Sequence, residues 1–191
     1  MRRTAFALAI LGLTFAAPLA AQTRPDPASL LAAQRQAMTA FARMDGVWRG
    51  PAWTITPNGR HEVMQTERIG PFLGGTVRVI EGRGYNADGT VGFNALGIVS
   101  FHAETNSYTI SSWAQGYSGV FPFRPTADGY EWEVPAGPGA MIRYSATVTA
   151  DTLVERGFRV AGSAPPVQIF EMNLRRVGNT DWPGAGAVPM R

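Results

Sequence analysis

Few residues in this chain have the type and spacing to do chemistry. In the segment Thr152–Ala161 the apolar residues Val154, Phe158 and Val160 recur at alternate positions, and Arg156 completes the set. Side chains alternate between the two faces of a strand, so this spacing predicts a guanidinium pointing with the apolar residues into the interior. A buried charge without a partner is costly, so Arg156 needs a carboxylate, ordered water or the acidic group of a ligand. Glu81, which follows Val77 and Val79 at the same spacing, is the natural internal partner. Glu171 is the other, if a bulge turns Arg156 outward.

Aromatic residues supply the candidate walls. Tyr130, Trp132 and Val134 alternate with Glu131 and Glu133, so the aromatic face points inward. Ile142, Tyr144, Ala146 and Val148 share a face by the same rule, as do Phe170, Met172 and Leu174. Trp53 adds a further large surface, and His102 closes its strand where it could sit at a mouth. The expected ligand-binding set is therefore Arg156, Tyr144, Trp132, Tyr130, Glu81, Trp53 and His102.

Several chemistries are excluded by composition. The chain has no Cys, which removes disulfides, thiolate metal sites and cysteine nucleophiles. All 17 basic residues are Arg, so lysine Schiff-base chemistry is excluded as well. His61 and His102 lie on different strands and make no metal-ligating pair in sequence. No nucleophile elbow occurs, and Ser111, Ser112 and Ser118 lack a recognisable His and acid constellation. Gly82-Arg83-Gly84 lacks the strand-turn-helix context of a dinucleotide loop. No metal and no cofactor is expected.

The elements that must hold these residues follow from a repeating pattern. From Trp48 to Val177, short runs rich in Val, Ile, Phe, Tyr, Trp and Thr return roughly every 10 to 14 residues, separated by Gly, Pro, Asn and Asp. About ten strands are expected, beginning near Val47, Arg60, Gly75, Val91, Tyr108, Gly119, Tyr130, Met141, Thr152 and Val167. The connections are too short for crossover helices, so successive strands pair antiparallel. The fold class is all-β: an antiparallel up-and-down barrel, with a sandwich as the structural rival. Asp26 as N-cap, Pro27 at the first position and an apolar stripe through Met44 predict one helix, stopped by Asp45-Gly46, lying across a barrel end.

The expected domain plan is a signal peptide over residues 1–21, a helical segment over 22–45, the barrel over 46–177 and a flexible tail over 178–191. Arg2 and Arg3, the apolar stretch Ala5–Ala17 and the small residues Ala20 and Ala21 have the layout of a cleaved export signal, too short to span a bilayer. Cleavage near Ala21 lowers the formal charge from +3 to +1, leaving 15 Arg against 14 acidic residues. The Arg residues are scattered through strands, so nucleic acid is not an expected partner. A periplasmic or secreted location is expected, with the oligomeric state open.

Gly46-Val47-Trp48-Arg49-Gly50 at the first strand, Leu73-Gly74-Gly75-Thr76 before the third and Phe170–Arg176 on the last resemble an uncharacterised bacterial family of secreted lipocalin-like, calycin-type barrels. The resemblance covers roughly Ala37–Val177 and implies a plug role for Trp48 at the closed end. Nitrobindin-like barrels share the opening but hold haem through a late-strand His, and no His follows His102 here. Three functions remain open: an exported carrier of a small lipophilic or amphipathic molecule, an envelope interaction protein without a small ligand, and a calycin-type isomerase, cyclase or hydrolase using Tyr144, Glu81 or His102. Carriage ranks first because no catalytic motif is found and the chain reads as non-enzymatic.

Overall fold

A computed structural model describes residues 26–180 and Trp182. The expected signal peptide and most of the expected tail lie outside the described residues. Ten antiparallel strands form one closed barrel: β1 (Gly46–Thr56), β2 (Gly59–Phe72), β3 (Val77–Tyr85), β4 (Val91–His102), β5 (Ser107–Ala114), β6 (Tyr117–Pro125), β7 (Gly129–Pro135), β8 (Ala140–Val148), β9 (Thr152–Ala161) and β10 (Val167–Gly178). Each strand pairs with its sequence neighbours, and β1 pairs with β10 to close the ring. Closure leaves no free sheet edge, and the sandwich alternative is set aside.

The helix is shorter than its apolar stripe suggests. α1 (Pro27–Met38) begins where Asp26 Oδ2 accepts from the Ser29 amide at 3.2 Å, and a 3-10 segment, Thr39–Met44, continues it. Its stop is not a left-handed glycine: Asp45 turns to φ −57°, ψ 123° and leads straight into β1. Gly46 serves another need, because a Cβ there would collide with the Arg176 guanidinium.

This helical segment seals one end of the barrel. Met38, Phe41, Met44 and Trp48 are fully buried together, and Tyr108 on β5 donates to the Ala37 carbonyl at 3.2 Å. Trp48 donates from Nε1 to the Met44 carbonyl at 2.9 Å, while the Arg176 guanidinium lies 4.0 Å over its ring. The polar tip of a buried Trp is thereby satisfied and the cation stacks on its face. Arg78 enters the same end from β3 and pairs with Asp45 at 2.7 Å, with only 7% of its side chain exposed. Burial raises the Asp45 carboxyl, and the Arg78 cation opposes that rise.

Trp182 folds back on the outer face of β2, its ring 4.9 Å from that of Phe72. A Cβ on Gly70 would meet both Thr180 and Trp182, so this contact depends on a glycine. Among the described residues no helix is long and apolar enough to cross a membrane.

Candidate functional site

A cavity of about 460 Å³ occupies the lumen. It runs from Ile69, Ile110, Phe123 and Met172, above the helical plug, to Thr56, His61, Gly92 and Gln115 at the opposite rim. Its size lies in the usual range of small-molecule sites, and its wall is mainly apolar and aromatic. Trp132 and Tyr144 stack at 4.4 Å with their planes 15° apart, and Phe170 meets Tyr144 edge-on at 5.8 Å. Gly157 lets this group close, since a Cβ there would lie 2.8 Å from the Tyr144 ring.

Two carboxyls face the lumen from opposite sides of this wall. On β2 the alternation Val63, Gln65, Glu67, Ile69 points inward, and on β9 Leu153, Glu155, Gly157 does the same. Glu67 and Glu155 are only 7% and 6% exposed. Glu155 accepts from the Tyr130 hydroxyl at 2.9 Å and from Trp132 Nε1 at 2.7 Å. Glu67 Oε1 accepts from Gln65 Nε2 at 2.7 Å, whereas the buried Oε2 has no hydrogen-bond partner among the described residues. The polar cluster depends on Gly82, because a Cβ on this residue would come within 2.8 Å of Glu67 Oε1.

Burial raises both carboxyls, most clearly Glu67, which is pushed up to about 8 despite the Gln65 amide and with the Glu155 charge adding to the rise. Glu155 receives two donors that favour its anion and Glu67 only one, so of the two carboxyls Glu67 holds its proton to the higher pH. Burial, followed by the neighbouring Glu155 charge, holds the Tyr130 and Tyr144 phenols well above their ordinary range. Tyr130 is a donor here, and neither phenol is poised as a base. No Arg lines the cavity among the described residues.

Of the residues expected to contact a ligand, Tyr130, Trp132 and Tyr144 line the lumen. Trp53 borders it, but the alternation that puts Ala52 and Thr54 inside turns its ring outward, under the Arg60 guanidinium at 4.3 Å. Arg156 requires a correction: it faces outward, half exposed, and pairs with Glu171 at 2.8 Å. Glu81 also points outward and pairs with Arg83 at 2.6 Å. His102 lies exposed at the helix-covered end and bonds Thr109 at 2.9 Å, away from the cavity.

Both register errors have one physical cause. On β9 and β3 the inward positions opposite the cavity are Glu155, Gly157, Gly82 and Gly84, so the hollow side carries less apolar surface than the outer side. An alternation rule that equates apolar with inward then selects the wrong face. The signal that could have found Glu67 was present, since Val63 and Ile69 bracket Gln65 and Glu67 at strand spacing.

The fold and lumen define the class: a closed ten-stranded antiparallel barrel with an internal cavity. Its fold resembles that in the crystal structure of Rv2717c from M. tuberculosis, with a TM-score of 0.55 and 16% sequence identity over 76% of this chain and 98% of that one. No protein-family model matches the chain, and no curated protein matches it.

Proposed function

We propose that this protein is an exported, lipocalin-like carrier that holds a small lipophilic or amphipathic molecule in its barrel. The observation that carries this reading is the apolar lumen of about 460 Å³ reaching from the plug to the opposite rim. Densely packed interiors leave few voids larger than a water molecule, so a hollow of this size calls for an occupant. The leader-like residues 1–21 support export. An acidic ligand anchored by Arg156 is not proposed, because that guanidinium lies outside.

Nile red, a neutral lipophilic fluorophore, tests the reading when combined with native mass spectrometry. Saturable one-to-one binding is expected, and Ala95→Trp, which places a large ring in the lumen, should abolish it. Binding that is absent, or that survives Ala95→Trp unchanged, would overturn carriage in the lumen.

A further inference from the structure

We propose that the lumen selects amphipathic amines, seating an ammonium group between Glu67 and Glu155 with the apolar part against Trp132, Tyr144 and Phe170. This rests on the carrier reading and specifies the ligand's polar end. Glu67 lines the cavity, and its buried Oε2 has no hydrogen-bond partner among the described residues, which leaves an unmet interaction at the wall. The titratable groups that act on it are acidic, Glu155 on β9, Tyr130 on β7 and, through the wall of β3, Glu81, while His61, the basic residue lining the lumen among the described residues, stands at the far rim. Tyr144 on β8 faces Glu155, and the β1 residue paired with Glu67 is the uncharged Trp48.

Such a lumen repels a carboxylate or phosphate. A cation gains charge-assisted hydrogen bonds there and favours the ionised form of both carboxyls. A neutral lipophile gains only burial.

Binding has a proton balance that distinguishes it from simple partition. An alkylamine is an ammonium ion in water near neutrality, since a lysine amine titrates near ~10.4. Glu67 is then protonated, so seating the ammonium beside it breaks the Glu67 O–H bond. The proton passes to buffer and the carboxylate remains as counter-ion. No covalent bond to the ligand forms.

Octylamine, octan-1-ol and octanoate share a chain length and differ at the head, so they separate head-group selection from carriage. Isothermal titration at about pH 7 should give octylamine about tenfold tighter binding than octanol, with octanoate weakest. The octylamine enthalpy should shift between phosphate and Tris buffers by the amount expected for release of nearly one proton. In Glu67→Gln, which keeps size and the Gln65 bond, the amine preference and the buffer dependence should both collapse. Equal binding of octanol and octylamine would overturn amine selection and leave lumen carriage standing. Amine preference retained in Glu67→Gln, or binding without proton release, would also overturn it. Failure of all three to bind, with Nile red also excluded, would overturn both.

Discussion

Replacing Glu67 by Gln should make the protein more stable at alkaline pH and nearly unchanged at acidic pH. The wild-type carboxyl is raised from an ordinary 4.5 to about 8 by burial in the lumen. Its folded state therefore holds a proton that the unfolded chain releases, so stability is greatest below about 4.5 and is lost as pH rises to about 8. At about 1.4 kcal/mol for each tenfold change in proton affinity, that interval sets a ceiling of about 5 kcal/mol. Gln cannot ionise, and its side-chain oxygen can still accept from Gln65. Any cost of burying its amide is independent of pH and cancels between conditions. Urea unfolding followed by Trp fluorescence, at about pH 5 and about pH 9, measures the difference. The variant should gain several kcal/mol over wild type between the two conditions, and parallel pH profiles would refute a protonated Glu67 in the folded state.

Further outcomes follow from individual contacts. Trp132→Phe removes the Nε1 donor held at 2.7 Å from Glu155 and should destabilise by about 1–3 kcal/mol in urea unfolding, more at alkaline than at acidic pH. Gly82→Ala drives a Cβ to within 2.8 Å of Glu67 Oε1 and should cost about 1–3 kcal/mol by the same measurement, because the polar pair must shift. Arg156→Leu breaks a half-exposed pair with Glu171 and should change stability by less than about 1 kcal/mol while leaving octylamine affinity as in wild type. A large loss of amine binding in that variant would restore an inward role for Arg156.

The fold was more legible in the sequence than the site. Each of the ten strands starts within a few residues of its expected beginning, because Pro57-Asn58-Gly59, Asn86–Gly89 and Gly137-Pro138-Gly139 mark turns that few other sequences can make. Tyr130, Trp132 and Tyr144 were found because strands β7 and β8 pack apolar side chains inward and charges outward. That rule fails where a strand faces a hollow. Glu155 and Glu67 occupy inward positions that carry hydrogen bonds in place of apolar contacts, and Gly82, Gly84 and Gly157 give no hydrophobic signal. On β3 the outer face is also apolar, and Val79 is buried there beside Gly70, next to the segment carrying Trp182. Alternation alone could not choose a side.

A crystal structure with 8-bromooctan-1-ol, read from the anomalous scattering of its bromine, locates the occupant without assuming the head-group preference. The bromine should lie inside the barrel, among Phe93, Trp132 and Phe170 or deeper toward Phe123. A bromine only in a second pocket, the one lined by Trp113 and Tyr117, with the lumen empty at saturating alcohol, would contradict carriage inside the barrel.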